Sequence, residues 1–388
     1  MKFIRVIWGN VKMSKLLLIN SVIGFGSTGR IVLDIAKEYV QNGYEVKIAY
    51  GQARKASKNL KPDIDKYGVR IGNNVDVYYH VLYTRLTDKH GLASKHATKR
   101  FLRWADTFNP DILWLHNIHG YYINYELLFR WIRSRPQMQV KWTLHDCWSF
   151  TGHCSHFAYV NCNKWKEGCH NCPQLDQYPR SLNDDSESNY LRKKAAFTNM
   201  RNLTLVTPSN WLKEIVHQSF LSRYPVEVKY NTIDKTVFKP TPSTFKQDHG
   251  IQDKKMILGV ASVWNKRKGL NDFIELSQKL NPDEYRIVLV GLNENQLNDI
   301  KTRNINIIGL PRTNSQEELV KIYSAADVFA NPTYEDTFPT VNMEAEACGT
   351  RVITYDTGGC KETVHSPESI CIGKEISLMI KAIIMICC

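Results

Sequence analysis

Asp336 and Glu344, two carboxylates eight positions apart, sit in the most chemically loaded stretch of the chain, Asn331–Gly359, with Glu335 beside the first of them. The pattern predicts a loop carrying Glu335 and Asp336, then a helix with Pro339 in its first turn, Glu344 inside it and Gly349 just past its end. An apolar strand over Arg351–Tyr355 and a paired-glycine turn, Gly358-Gly359, follow. Carboxylates accept hydrogen bonds from hydroxyls, and the open N–H groups of a helix start attract phosphate, so the stretch suits a polar, phosphorylated ligand. The plain alternative for Glu344 is a solvated helix residue.

A basic turn, Lys266-Arg267-Lys268-Gly269, lies between a predicted strand and a predicted helix. Cations at a strand end can neutralise a diphosphate leaving group as its charge develops, with a solvated turn as the alternative. Near the start, Gly24-Phe25-Gly26-Ser27-Thr28-Gly29 has the spacing of a dinucleotide-binding loop. A nicotinamide-dependent dehydrogenase would then need a carboxylate ending the second strand to bind the ribose. That strand ends Tyr50-Gly51-Gln52, leaving only Arg54 or Lys55 to support an NADP version. Otherwise the glycines serve tight strand–helix packing. His116, His119 and His145 end strands of the first half, the last followed by Asp146. Imidazole there can donate to a sugar hydroxyl or a phosphate near neutral pH, whereas a lone histidine is usually structural. No nucleophile-elbow serine accompanies them.

Cys154, Cys162, Cys169 and Cys172 fall within nineteen residues, beside Cys147, His153, His156 and His170. In a chain read as cytoplasmic such a cluster favours a structural zinc, with Cys169 and Cys172 as one half-site and Cys154 and Cys162 as the other. Reduced or disulfide-linked structural cysteines and redox chemistry stay open.

The elements that must position these residues alternate strand and helix from end to end, which predicts α/β architecture with parallel sheets. Two doubly wound, Rossmann-like domains are expected, 14–236 with a Cys-rich insert at about 147–175, and 237–388. A linker rich in turn formers, Lys239–Lys254, leads into the second. The chemically distinctive residues sit at strand ends, where ligands of such sheets bind, so a cleft between the domains is expected.

The stretch around Asp336 and Glu344 resembles the donor-sugar motif of family 4 glycosyltransferases, retaining nucleotide-sugar enzymes of the GT-B fold, and the resemblance runs from about Lys15 onward. It implies that Glu344 holds the nucleotide ribose and that Glu335 or Asp336, with Gly358 and Gly359, positions the transferred sugar. Lys268 and Arg267 would hold the diphosphate, although many relatives place the arginine earlier, near Ser262. Gly26, Ser27, Gly29 and Arg30 would face the donor diphosphate and the acceptor, and His116 or His145 the sugar near its reacting carbon. The Cys-rich insert is similar to one in bacterial transferases of colanic-acid and exopolysaccharide synthesis, and its position implies the acceptor side. No catalytic metal is implied. The expected activity moves a hexose or related sugar from a nucleotide diphosphate to a saccharide or lipid-linked acceptor. A GT-B epimerase and an inactive nucleotide-binding homologue are the alternatives.

With 43% hydrophobic and 23% charged residues the 388-residue chain is globular, and its apolar runs are far short of a bilayer span. The opening thirteen residues lack a signal-peptide pattern, and Met13 is an alternative start. A cytoplasmic location, at the inner face of the plasma membrane, is expected. A net charge of +13 suits nucleic acid, anionic lipid or phosphorylated substrates. Scattered cations and no nucleic-acid module favour a nucleotide diphosphate and an anionic membrane as partners, and no nucleic acid. The sequence after Val364 is read as a short ending to the second domain, without the helix that commonly crosses back in GT-B proteins.

Overall fold

The computed structural model describes residues 13–52 and 61–387. In chain order the elements are β1 (Lys15–Val22), α1 (Gly26–Gln41), β2 (Glu45–Gln52), α2 (Lys61–Tyr67), β3 (Gly68–Arg70), α3 (Asn74–Thr87), α4 (Lys95–Phe108), β4 (Ile112–Leu115), α5 (Tyr125–Arg133) and β5 (Gln139–Thr143). They continue with α6 (Ser186–Phe197), β6 (Leu203–Thr207), α7 (Asn210–His217), β7 (Val226–Val228), α8 (Phe245–Asp248), β8 (Lys255–Val260), α9 (Leu270–Lys279), β9 (Tyr285–Val290) and α10 (Glu294–Thr302). The last are β10 (Ile307–Leu310), α11 (Gln316–Ala325), β11 (Val328–Asn331), α12 (Thr340–Ala347), β12 (Arg351–Tyr355), β13 (Ile370–Ile372) and α13 (Ile376–Cys387).

One sheet has seven strands in the order β3-β2-β1-β4-β5-β6-β7, the other six in the order β10-β9-β8-β11-β12-β13. Every pairing from β3 to β6, and every pairing of the second sheet, is parallel. Parallel strands need helical crossovers, which cover both faces, so central strands must be apolar on both sides. Leu16, Leu17, Leu18 and Ile19 of β1 are fully buried, as are Ile257 and Leu258 of β8. In each sheet the order reverses once, between β1 and β4 and between β8 and β11. In doubly wound sheets the loops after such a reversal diverge, and the carboxyl ends of those strands are the usual ligand position.

The described residues form two compact units. The first comprises the described residues up to 155, with 164–206 and 216–227; the second comprises 156–163, 207–215 and 228 onward. A single cut after residue 236 therefore does not describe how the chain packs, because two segments of the expected first domain, 156–163 and 207–215, fold with the second sheet. The Cys-rich insert is itself divided between the units. The expected linker Lys239–Lys254 is part of the second unit: Ile251 lies in its core, and Lys246 binds Asp327. Strands β3, β7 and β13, three residues each, were outside the expected set.

The core of the second unit also sets the basic turn. Phe273 of α9 is fully buried and meets the Trp264 ring edge-on at 5.4 Å, just before and after that turn. Gly259 of β8 allows the contact, since a Cβ there would come within 2.5 Å of the Phe273 ring. Phe273→Ala is expected to cost ~3–5 kcal/mol, read as a lower urea midpoint; an unchanged midpoint would mean that the ring is dispensable.

Candidate active site

In the second unit, three loops meet at the carboxyl ends of β8, β11 and β12. After β8 the chain forms a short turn over Lys266–Lys268, capped by Asn265, whose side chain accepts from the Lys268 N–H at 3.0 Å. Gly269 closes it at φ +75°, where a Cβ would lie 2.3 Å from the Pro332 carbonyl oxygen. The turn is thus pressed against the loop leaving β11. Tyr334 N–H donates to the Arg267 carbonyl at 2.8 Å, and the Arg267 guanidinium donates to the Glu335 carbonyl. The Lys268 ammonium pairs with the Asp336 carboxylate, which also accepts from Phe338 N–H at 3.1 Å. Burial disfavours charge on Asp336, but Lys268 and Arg267 outweigh it and hold its pKa below the ordinary value.

Glu335, next in the chain, turns elsewhere. It is fully buried and accepts from the N–H groups of Phe157 at 3.1 Å and Tyr159 at 2.9 Å. Burial raises its pKa, against the pull of those N–H groups and of Arg267. Its carboxylate anchors segment 156–163 to the second unit. Of the two neighbouring acids, the structure therefore puts Asp336 beside the cations.

Gly358 and Gly359 wrap the same loop. Gly358 has φ +58°, and a Cβ on it would sit 1.9 Å from the Asp336 carbonyl oxygen; Gly359 N–H donates to that oxygen at 2.9 Å. Helix α12 starts directly after Pro339, with Gly349 beyond its end. Glu344 lies half-buried on it and accepts from the Tyr323 hydroxyl at 3.1 Å and the Thr340 hydroxyl at 3.4 Å. Two supports lay outside sequence reasoning. Asp272 of α9 accepts from the hydroxyls of Tyr334 and Tyr355, which braces the β11 loop from behind. Glu362 accepts from the N–H groups of Asn210 and Trp211 at the start of α7. An acid three residues past the glycine turn of the basic loop was the one signal available for Asp272.

In the first unit the glycine turn after β1 is closed by a Gly24 N–H to Gly29 carbonyl bond of 2.9 Å, and α1 starts at Gly26. Gly29 is buried against Val22, while Ser27 and Arg30 are exposed on the first turn of the helix. Gln52, ending β2, donates to the Gly120 carbonyl at 2.8 Å. Arg54 and Lys55 lie outside the described residues.

His116 follows β4 and His145 follows β5. Their rings stack at 5.3 Å, with His116 Nδ1 3.0 Å from His145 Nε2. His119 contacts the Tyr178 hydroxyl at 2.9 Å and the Asp146 carboxylate at 3.1 Å. Burial lowers the His145 pKa to about 4, despite Asp146. His145 is therefore neutral near pH 7 and can serve His116 as donor or acceptor according to tautomer.

The four cysteines expected to hold zinc are not brought together. Cys154, Cys169 and Cys172 belong to the first unit, whereas Cys162 lies on segment 156–163, which folds with the second. Among the described residues no group of three or more His, Cys, Asp or Glu side chains is placed to hold a metal ion. Cys154 and Cys172 hydrogen-bond to each other, which raises the Cys154 pKa and lowers that of Cys172 to about 7. The Cys169 sulfur accepts from Gly152 N–H at 3.1 Å. Buried Lys193 also ties the insert down: its amine donates to the carbonyls of Trp148 at 2.7 Å and Thr151 at 3.0 Å, and lies 3.6 Å from the centre of the Trp148 ring. A buried Asp88–His153 pair supports it from α3's end.

The comparisons with known proteins agree with this architecture. The pattern described as "Glycosyltransferase Family 4" matches residues 28–237, more than half of the chain, and "Glycosyl transferases group 1" matches residues 243–385. A putative colanic acid biosynthesis glycosyl transferase, WcaC, of Escherichia coli K12 is 26% identical over 194 residues, 48% of this chain and 46% of that protein. The match thus spans about half the length of that relative. Sucrose-phosphate synthase of Thermosynechococcus elongatus superposes with a TM-score of 0.67 at 16% identity, over 96% of this chain and 89% of the other. HepE of Anabaena, solved in complex with UDP-glucose, gives 0.62 at 16% identity over 96% and 89%. The two parallel, doubly wound sheets are those of the GT-B class. The chain belongs to glycosyltransferase family 4.

Two outcomes follow from this geometry. Glu335→Ala removes the acceptor for two backbone N–H groups and is expected to cost ~2 kcal/mol or more, with Glu335→Gln milder; equal thermal midpoints for wild type and Glu335→Ala would remove the anchoring role. His145 is held neutral with a pKa near 4 and His80 with one near 3, so the unfolded chain takes up protons first as pH falls below 6.5. Their contribution to stability is complete above about pH 6.5 and is lost as pH falls toward the folded values. His145→Asn should flatten the decline of thermal midpoint between about pH 6.5 and 4, and an unaltered slope would contradict a neutral buried His145.

Proposed function

We propose that this chain is a retaining glycosyltransferase that moves a hexose or related sugar from a nucleotide diphosphate to a saccharide or lipid-linked acceptor in surface polysaccharide or glycolipid synthesis. The observation that carries the reading is the meeting of Lys268, Arg267 and Asp336 at the ends of β8 and β11, where the strand order of the second sheet reverses. As the bond from the sugar's anomeric carbon to the diphosphate oxygen breaks, the electron pair stays on the diphosphate. Lys268 and Arg267 stabilise that charge. Asp336 orients the Lys268 amine, and Glu344 accepts the hydroxyls of the nucleotide ribose. Gly358 and Gly359 shape the turn that positions the sugar beside Asp336. Gly26, Ser27, Gly29 and Arg30 face the donor diphosphate and acceptor, and His116, oriented by neutral His145, faces the sugar. No catalytic metal is required for these roles. The acceptor carries a phosphate or lies at an anionic membrane surface, in keeping with the net charge of +13.

The test is a screen of UDP-, GDP- and ADP-sugars for thermal stabilisation and hydrolysis, starting with UDP-sugars because a neighbour of this fold was solved with one. Lys268→Ala should lower turnover at least tenfold, equivalent to ~1.4 kcal/mol of transition-state stabilisation. Glu344→Ala should weaken binding of the bare nucleotide diphosphate as well as of the donor. Normal turnover in Lys268→Ala at saturating donor, or normal nucleotide binding in Glu344→Ala, would overturn these assignments. Sugar analysis of the product separates transfer from epimerisation, which needs no acceptor.

A further inference from the structure

A chain of polar contacts that the transferase reading leaves unused runs through the first unit, in the loops that follow β4 and β5. Asp146 Oδ1 accepts from the Trp148 N–H at 2.9 Å, which fixes the carboxylate. Its other oxygen lies 3.1 Å from His119 Nε2, and His119 Nδ1 lies 2.9 Å from the Tyr178 hydroxyl. Aromatic packing frames the tyrosine: its ring meets His90 edge-on at 5.5 Å and Tyr121 edge-on at 6.0 Å. Tyr121 is held at φ +67°, a left-handed conformation that a bulky residue keeps only where its surroundings impose it. Burial pushes the Tyr178 pKa well above its ordinary value, yet 42% of the residue's surface is open to solvent. A side chain both deep and accessible lines a recess, the form of a ligand site.

The carboxylate sets the direction of every bond in this chain. It only accepts, so neutral His119 donates its Nε2–H to Asp146 and keeps a lone pair on Nδ1. The Tyr178 hydroxyl then donates to Nδ1. Its proton is thereby committed, and its oxygen offers an incoming group only lone pairs. That suits an alcohol O–H. It disfavours a phosphate, whose oxygens are acceptors too and which the Asp146 charge repels. With its pKa raised, the phenol stays protonated and holds an alcohol without deprotonating it. The diphosphate and ribose of the donor are assigned to Lys268, Arg267 and Glu344 of the second unit, so this site falls to the second substrate.

We propose that Tyr178 binds a hydroxyl of a saccharide acceptor, with His119 and Asp146 as positioning residues that set which way its own hydroxyl points. This rests on the transferase reading and narrows it, any phosphate of the acceptor lying away from Tyr178. The probes are the methyl glycosides of glucose, galactose and mannose, with octyl phosphate as an anion that carries no sugar. Saturation-transfer NMR reads their binding to the full chain without donor, and the UDP-sugar turned over in the donor screen gives the acceptor KM. Wild type should bind at least one glycoside in preference to octyl phosphate. Tyr178→Phe should weaken glycoside binding and raise the acceptor KM at least about threefold, with the thermal response to UDP unchanged. Asp146→Asn keeps an acceptor for the Trp148 N–H but presents an amide donor to His119, which reverses the chain. It should weaken glycoside binding by a similar factor. In the double variant the two losses should not add, since both act through one hydroxyl. Tyr78→Phe, at an exposed tyrosine of α3, should match wild type. Equal glycoside binding by wild type and Tyr178→Phe, additive losses in the double variant, or a preference for octyl phosphate would overturn the proposal. So would binding of none of the glycosides. Glycoside binding that Tyr178→Phe weakens, with no nucleotide sugar bound or turned over by wild type, would count against the transferase reading alone.

Discussion

The close approach of three backbone segments at the ends of β8, β11 and β12 is the constraint on which the second unit's chemistry depends. Gly269 admits the Pro332 carbonyl and Gly358 the Asp336 carbonyl, at separations that leave no room for a side chain. With the backbones this close, the side chains leaving them have few places to go: Lys268 meets Asp336, Arg267 reaches the Glu335 carbonyl, and Glu335 turns back to segment 156–163. A charged pair of this kind gains from a partly dry setting only if its geometry is held from outside. Asn265 and Asp272 do that holding, the first by capping the basic turn and the second by gripping the Tyr334 and Tyr355 hydroxyls.

The first unit solves a different problem, that of many ionisable groups in a dry interior. Burial depresses the pKa values of His80, His90 and His145, so these rings stay neutral and can be hydrogen-bonded as such. Lys193 is buried as well, and burial pulls its pKa to about 7 against the opposing influence of Cys169 and Asp88. Its two carbonyl acceptors and the Trp148 ring supply what water would have supplied. Trp148 and Thr151 of the Cys-rich insert are thereby tied to α6.

The apolar strands, the glycine turns after β1 and β12, and the helix from Thr340 were all legible in the sequence, because each is dictated by local patterning: continuous apolar runs for doubly covered parallel strands, and proline and glycine at helix ends. Strands β3, β7 and β13 were not, because three residues at or near a sheet edge carry no period to read. The spacing of Asp336 and Glu344 singled out the loop and helix that follow β11, and the strand-end location of Lys268 and the histidines followed from the alternation of elements.

What tertiary structure alone decided is direction. Glu335 and Asp336 are adjacent and chemically alike, yet one is buried against two N–H groups and the other pairs with Lys268, because a strand-end loop sends successive side chains to opposite sides. The four cysteines look equivalent along the chain, but segment 156–163 carries Cys162 to the second unit while Cys154 and Cys172 bond within the first. The inward packing of His80 and Thr84 turns the apolar side chains of α3 toward solvent. Local patterns specify which element forms, whereas the face it presents depends on long-range partners that spacing cannot name.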